Sequence, residues 1–377
     1  MRAPAVQPIV IAAGGTGGHF FPAEALAAEL LTRGHRVALM TDARSGGLKS
    51  AVFANGDTHV IAGAGIAGRG VVRAAKAVAS LTAGVAQGRR ILSRLNAAAV
   101  VGFGGYPSVA PVLATRLLRR RPPVILHEQN AVLGRANRFL ARHADRLALS
   151  FASTSLVPAN IATEVTGNPV RPAIAELADR PYSPPTDDFR LLILGGSLGA
   201  RVFSDVVPAA IAQLPEDLRM RLSIVQQCRS EDIERVRSAY AFAGMQATLS
   251  AFFADVAERL SEAHLVIARA GASTVSELAV AGRPAILVPL PGAIDDHQSA
   301  NARALVDARG AVALAQSRLT PDSLADALIT LLSDPDNLAH AARAAGSIAR
   351  PDATARLADL VESAMRSNAT MSQEVRP

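Results

Sequence analysis

Cysteine is nearly absent from this chain: of 377 residues, Cys228 alone is one. A single thiol excludes a disulfide framework and a cysteine-based metal site, and it suits a reducing compartment. Tryptophan is missing and aromatics make up 4% of the residues, although half of the chain is hydrophobic. Any core must therefore be built from Ala, Leu, Val and Ile. No stretch approaches the roughly 20 uninterrupted apolar residues that a membrane span needs. The apolar run at 8–13 also lacks the basic flank and cleavage site of a signal peptide. The expectation is a soluble or peripheral protein, and at ~150 residues per domain the length suggests two domains.

Acid is the other local absence. Residues 58–127 contain no Asp or Glu, where an even spread of the 32 acids would place about six. Arg69, Arg73, Lys76, Arg89, Arg90, Arg94, Arg116, Arg119, Arg120 and Arg121 all fall there, in a chain of net charge +7. Within this window Val71, Ala75, Val78, Leu81, Val85, Ile91, Leu92 and Leu95 recur at roughly helical spacing. A basic amphipathic segment reads as a surface for anionic lipid, or else as a solvated helix of an arginine-rich protein. Phe103 and Tyr106 offer too little stacking surface for nucleic acid.

Short apolar runs alternate with helical patterns. Strands are expected at 6–13, 36–41, 97–101, 124–127, 146–150 and 164–166, and in a second series at 190–194, 222–226, 265–269, 285–288 and 311–314. Helices are expected at 23–33, 274–281 and 302–308, closed by Gly34, Gly282 and Gly310. Such alternation gives parallel sheets covered by helices. The proline-rich stretch 180–188 reads as a connection. Residues 9–18 and 191–199 share one design: apolar strand, glycine-rich turn, helix. Two Rossmann-like halves of this kind would bind ligand at the carboxyl ends of their strands.

The glycine-rich turns carry the chemistry. Gly14-Gly15-Thr16-Gly17-Gly18-His19 lets backbone approach a phosphate or sugar at a helix N-terminus. A dinucleotide fingerprint counted from Gly15 would need glycine where Phe20 stands, although Asp42 would suit a ribose. His19 can accept a proton at neutral pH or merely pack at the turn. In Arg269-Ala270-Gly271-Ala272-Ser273-Thr274-Val275-Ser276-Glu277, Ser273 and Thr274 are candidate N-caps of a helix that would hold a diphosphate. Glu277 suits a ribose diol or, alternatively, a capping box. Gly195–Arg201 is a third phosphate-compatible turn or a plain strand-to-helix turn. Arg171, in Gly167–Arg171, reaches a ligand or sits on the surface. His127-Glu128-Gln129-Asn130 lines a site or a solvated loop. Asp295-Asp296-His297-Gln298 holds a metal or is polar surface; no other metal constellation stands out.

Together GGTGGH, GGYPS, HEQN, GNPVR, GGSLGAR, RAGASTVSE and DHQSANA, in order along residues 9–365, resemble the MurG family. Its members are the UDP-GlcNAc-dependent N-acetylglucosaminyltransferases that complete lipid II in bacterial peptidoglycan synthesis. The resemblance implies an α/β GT-B architecture, two Rossmann-like domains facing across a deep cleft. Residues 1–171 would form the acceptor and membrane-binding domain, with a C-terminal helix at 351–366 packing back on it. Residues 172–350 would bind UDP-GlcNAc, and 367–377 would be a flexible tail. The implied reaction is inverting transfer of GlcNAc to the C4 hydroxyl of MurNAc in lipid I, at the cytoplasmic face of the inner membrane.

By motif, the resemblance assigns donor contacts to Thr16, Gly17, Gly18, Asn130, Arg171, Ser197, Phe253, Ala272, Ser273, Thr274, Val275, Ser276, Glu277 and Gln298. Glu277 would take the ribose hydroxyls and Gln298 the GlcNAc hydroxyls. His19 is the implied base, with Tyr106, Glu128 and Asn130 near the acceptor. No cofactor is obligatory on this reading, though a non-essential divalent cation is compatible with it. The implied partners are UDP-GlcNAc, lipid I, an anionic membrane surface and cell-wall assembly or division proteins. The chain departs from the family in Gln226-Gln227-Cys228-Arg229, where many members carry His-Gln-Ser/Thr-Gly, in Phe253, where Ile is commoner, and in Leu198 and His297, where some members carry Gln. Competing readings are another GT-B glycolipid glycosyltransferase, an NAD(P)-dependent oxidoreductase, and a non-catalytic nucleotide-sugar-binding scaffold.

Overall fold

Strands that are apolar on both faces must be covered on both faces, and the Ala/Val/Ile/Leu runs dictate this arrangement. The computed structural model describes residues 7–14, 17–43, 50–54, 57–63, 71–196 and 199–374. It divides into two compact units, Met1–Arg171 with Asp352–Pro377, and Pro172–Pro351. The proline-rich stretch 180–188, expected as a connection, lies inside the second unit, because Ile174 and Leu177 before it are already buried.

Among the described residues of the first unit, β1 (Ile9–Ala12), β2 (Val37–Asp42), β3 (Asp57–Ile61), β4 (Ala99–Gly102), β5 (Val124–Glu128), β6 (Arg146–Leu149) and β7 (Thr163–Val165) form one sheet. Its order is β3-β2-β1-β4-β5-β6-β7, parallel throughout, with Ile9 opposite both Val37 and Ala99. The second unit repeats the plan with β8 (Phe189–Leu194), β9 (Leu222–Gln227), β10 (Ala247–Ser250), β11 (Leu265–Ala268), β12 (Ala285–Leu287) and β13 (Ala311–Ala313). Its order is β10-β9-β8-β11-β12-β13. Both are Rossmann-like sheets whose strand order reverses beside the first strand, at β1–β4 and at β8–β11.

The closing helix Ala353–Glu374 belongs to the first unit. Leu357, Ala358 and Val361 are fully buried in one cluster with Ile9, Leu26 and Val101. Arg33 donates to Asp359 (2.6 Å), to Glu362 (3.3 Å) and to the Ala355 carbonyl (3.2 Å). The helix continues to Glu374 where a tail from 367 was expected, and Asn368 donates to the Arg121 carbonyl at 3.2 Å.

The long helix Val71–Leu95 carries the basic amphipathic pattern. From Leu81 on, its apolar stripe is turned inward: Leu92 is buried, and Leu81, Val85, Ile91 and Leu95 pack against the cluster of Val10, Met40 and Val112, whereas Ala75 and Val78 are exposed. Gly84 and Gly88 permit this, since a Cβ at Gly84 would stand 2.1 Å from the Ala62 carbonyl oxygen. Lys76, Val78, Arg89, Arg90 and Arg94 remain exposed. Arg69 lies outside the described residues.

Gly34 (φ +85°) and Gly282 (φ +60°) close their helices as expected. Gly310 does not close its helix: Arg309 takes the left-handed conformation, φ +65°. Gly310 is required instead by a neighbour, because its Cβ would stand 2.7 Å from Ala345 backbone.

Candidate active site

In each sheet the glycine-rich turns leave the two strands at which the order reverses, where α/β sheets bind ligands. In the first unit, β1 feeds the helix Gly17–Thr32 and β4 feeds the helix Gly105–Thr115. Thr16, like Gly15, lies outside the described residues. A Cβ on Gly17 would meet the Phe21 ring at 2.8 Å, and Gly18 is exposed. Phe20 is buried edge-on to Phe53, with ring centroids 6.0 Å apart. It fills the helix–sheet interface that the third glycine of a dinucleotide fingerprint would leave thin, which weighs against NAD(P).

His19, half-buried, projects from the first turn of that helix. Across from it Gly104 (φ +79°) and Gly105 (φ +65°) turn the chain into the next helix, where Tyr106 is partly exposed. Ser108 Oγ lies 2.9 Å from the carbonyls of both Ala12 and Gly104, pinning this turn to the end of β1. A Cβ on Gly105 would sit 3.5 Å from His19 Cδ2 and 3.6 Å from Nε2. The Nε2 edge of the imidazole therefore faces a turn that carries no side chain.

The other edge is held by the motif that ends β5. His19 Nδ1 is 2.7 Å from Gln129 Oε1, Gln129 Nε2 is 2.9 Å from His127 Nδ1, and His127 Nε2 is 3.0 Å from the Gly167 carbonyl. His127 is fully buried, and burial is the main cause that pushes its pKa down to about 4. Glu128, also buried, accepts four bonds. Asn130 N (3.0 Å) and Asn130 Nδ2 (3.1 Å) meet Oε1, and Gly134 N (2.9 Å) and Asn137 Nδ2 (2.9 Å) meet Oε2. With both oxygens engaged, Glu128 organises the 130–137 segment. Asn130 stays partly exposed beside it, and Arg171, half-buried, ends the unit.

In the second unit the helix Ala272–Ala281 starts at the end of β11. Its N-cap is Gly271, with no side-chain cap, so Ser273 and Thr274 lie inside the first turn rather than at the cap. The capping-box alternative for Glu277 falls with this, because Glu277 stands six residues beyond the cap instead of three. The first intrahelical bond is Val275 N to the Gly271 carbonyl, 2.9 Å. The N–H groups of Ala272, Ser273 and Thr274 precede it and have no carbonyl partner within the helix, the arrangement with which helix N-termini receive anions. Ser273 Oγ is itself buried without a partner.

The neighbouring segments are tied to this helix start. Buried Asn301 donates to the Ala270 carbonyl at 3.1 Å. Arg269, its guanidinium over the Phe203 ring, donates to the Val288 carbonyl (3.2 Å) and to Gln316 Oε1 (2.7 Å). The helix His297–Asp307 opens five residues before the expected start, and the Oε1 of Gln298, its second residue, accepts from Leu290 N at 2.9 Å. A cavity of about 390 Å³ opens here, lined in part by Leu290, Asp296, Arg303 and Gln316. Asp295 and Asp296 are both left-handed, and no group of three or more His, Cys, Asp or Glu is placed to hold a metal ion among the described residues.

Ser197 and Leu198 lie outside the described residues, but the turn around them is braced. Gln227 accepts from Gly195 N (3.1 Å) and donates to the carbonyls of Gly196 (3.1 Å) and Ala251 (3.2 Å). The departing Gln-Gln-Cys-Arg run thus supports both the turn and the approach to Phe253. Phe253 is buried under the Arg259 guanidinium, 4.2 Å from its ring. Sequence reasoning missed Gln129, Gln227, Asn301 and Arg269 as site-building residues. Each stands inside a motif already singled out, but its partner is 31 to 110 positions away or across a strand.

Two parallel Rossmann-like domains with glycine-rich turns at both switch points have the GT-B architecture, and the family matches make the chain a glycosyltransferase of that class. Residues 9–149 match the glycosyltransferase family 28 N-terminal domain and residues 190–361 its C-terminal domain. The chain is 64% identical to the UDP-N-acetylglucosamine--N-acetylmuramyl-(pentapeptide) pyrophosphoryl-undecaprenol N-acetylglucosamine transferase of Granulibacter bethesdensis, over 97% of this chain and 95% of that one. It is 57% identical to the protein of the same name from Acidiphilium cryptum, over 97% and 99%. The solved structure of MurG from Acinetobacter baumannii superposes with a TM-score of 0.77 at 34% identity, covering 95% of this chain and 99% of that one. The chain belongs to the MurG family. A putative UDP-N-acetylglucosamine 2-epimerase from Listeria monocytogenes, 16% identical with a TM-score of 0.65, shares the fold alone.

Proposed function

We propose that this chain transfers N-acetylglucosamine from UDP-GlcNAc to the C4 hydroxyl of N-acetylmuramic acid in lipid I, giving lipid II and UDP. The observation that carries the reading is the His19 imidazole at the first switch point, its Nε2 edge facing the side-chain-free Gly104–Gly105 turn. An acceptor hydroxyl delivered there loses its proton to Nε2 as its oxygen bonds to the sugar C1. The C1–O bond to the diphosphate breaks on the opposite face, inverting the anomeric centre. General-base help of this kind contributes ~10²–10⁴ in rate.

Charge that builds on the departing UDP is met by the N-terminus of Ala272–Ala281 and by Arg171. In the same proposal Glu277 takes the ribose diol, the Gln298 NH2 meets a GlcNAc hydroxyl, and the backbone beside Phe253 meets the uracil. Gly17, Gly18, Thr16, Asn130, Ser197 and Tyr106 complete the contacts. These groups neutralise the diphosphate without an obligatory metal, and a divalent ion acts only as a modulator. Turnover that survives EDTA supports this part, and its abolition opposes it.

We also assign the first unit to an anionic membrane surface. Exposed Lys76, Arg89, Arg90, Arg94, Arg116, Arg119 and Arg120 supply the field, and Leu117, 54% exposed among them, supplies an apolar contact. Among the described residues no helix is long and apolar enough to cross a membrane. The site of action is then the cytoplasmic face of the inner membrane, beside proteins of cell-wall assembly and division, with roles in cell shape and the cell cycle. Sedimentation with phosphatidylglycerol vesicles that fails at high salt supports the assignment, and equal binding to neutral vesicles opposes it.

A further inference from the structure

We infer that Gln129 and His127 are positioning residues that fix the neutral His19 ring with its proton on Nδ1, so that Nε2 carries the lone pair. The inference rests on the reading of His19 as base, and it adds how that base is kept in the productive tautomer.

The direction of every bond in the chain follows from its far end. The Gly167 carbonyl can only accept, so His127 Nε2, 3.0 Å away, carries a hydrogen. Burial keeps this imidazole neutral at pH 7, which leaves its Nδ1 as an acceptor. Gln129 Nε2, 2.9 Å from that nitrogen, is the donor. A second obligate acceptor confirms the orientation of the amide: Gln129 Nε2 also lies 3.2 Å from the His127 backbone carbonyl. Turning the amide over would set its oxygen against two acceptors inside a buried site. Its Oε1 must therefore face His19, and it accepts the Nδ1 hydrogen at 2.7 Å. The proton of neutral His19 is held on the inner edge, and the outer edge beside Gly105 is left basic.

The logic matches that of a hydrolase triad, in which a residue behind the imidazole sets the tautomer that catalysis needs. Here the setting element is a neutral amide anchored to a buried neutral imidazole, so the tautomer is chosen without a carboxylate behind the base. Free imidazole side chains in water favour the opposite form, with the hydrogen on Nε2. Without the amide, the ring would present a hydrogen to the acceptor hydroxyl for much of the time.

The test uses the full chain labelled with [15N]histidine, with His19 signals assigned by their loss in His19→Asn. Long-range 1H–15N correlations at pH 7.5 to 8 are expected to show His19 protonated on Nδ1 with a pyridine-type Nε2, and His127 protonated on Nε2. In Gln129→Leu the His19 signals move toward the Nε2–H form and kcat falls about 10–100-fold. The KM for UDP-GlcNAc changes by less than about twofold, because no donor contact is lost. A wild-type His19 protonated on Nε2 overturns the inference, as does Gln129→Leu with the wild-type tautomer. The wild-type spectrum decides even where the variant does not fold. Full kcat in His19→Asn defeats the base reading instead, and is told apart because the spectrum reads the tautomer without turnover.

Discussion

Asn301 donates its side-chain amide to the carbonyl of Ala270 across 3.1 Å of buried interior, joining the helix that carries Gln298 to the turn that opens the helix Ala272–Ala281. Asn301→Ala leaves that carbonyl unpaired. The expected cost is about 1–3 kcal/mol of stability, with a weaker grip on UDP. Thermal unfolding with and without UDP checks both, and a variant that keeps full UDP protection would remove Asn301 from the site.

Gly105 is left-handed and its missing side chain borders His19. Gly105→Ala is expected to cost about 1–2 kcal/mol in backbone strain and to lower kcat by pressing on the imidazole. Gly34→Ala provides the comparison, since Gly34 is also left-handed (φ +85°) but nothing lies within 4 Å of its added Cβ. A similar loss of stability in both, with kcat reduced only at 105, separates site from strain. Equal kcat in the two variants would count against the placement of His19.

His127 gives the fold an acid-sensitive step. In the unfolded chain its imidazole takes a proton near pH 6.5, whereas in the folded chain it does so only near pH 4. Between these values the unfolded state binds more protons, so stability rises with pH there. The contribution is fully present above about pH 6.5 and is lost as pH falls toward 4, up to about 3 kcal/mol. Urea unfolding at pH 7.5 and 5 should show the loss, and His127→Gln should reduce it. His59, His143 and His264 are lowered in the same direction by burial, so part of the slope persists.

Glu128 separates scaffolding from chemistry. Glu128→Gln keeps one acceptor oxygen and sets an NH2 against donors, at an expected cost of about 1–3 kcal/mol and a lower Tm. A variant with lower Tm and nearly unchanged kcat would mark Glu128 as scaffold; unchanged Tm with a large loss of kcat would mark a direct catalytic role.

The parallel sheets were legible because their central strands are unbroken apolar runs. The two strands that escaped notice are edges. In β3, residues Asp57, Thr58 and His59 alternate toward solvent and only Ile61 is fully buried, and in β10 the sequence Ala-Thr-Leu-Ser is half-exposed. An edge strand with one wet face presents no apolar run. The motifs named the site's glycines, His19 and Glu277, because these are local in sequence. The relay from Gly167 through His127 and Gln129 to His19 was not legible, since it spans residues 110 and 40 positions apart. The apolar stripe of the helix Val71–Leu95 was visible, but the protein core that covers it from Leu81 on was not. Periodicity marks a buried face without saying whether protein or lipid buries it.

The central claim is tested most directly by UDP release from UDP-GlcNAc, with and without a soluble lipid I analogue, in the wild type and in His19→Gln. The account expects release that depends on the analogue and falls ~10²–10⁴-fold in the variant, while UDP still protects both proteins from thermal unfolding. Analogue-independent release, or a variant as fast as the wild type, would contradict it.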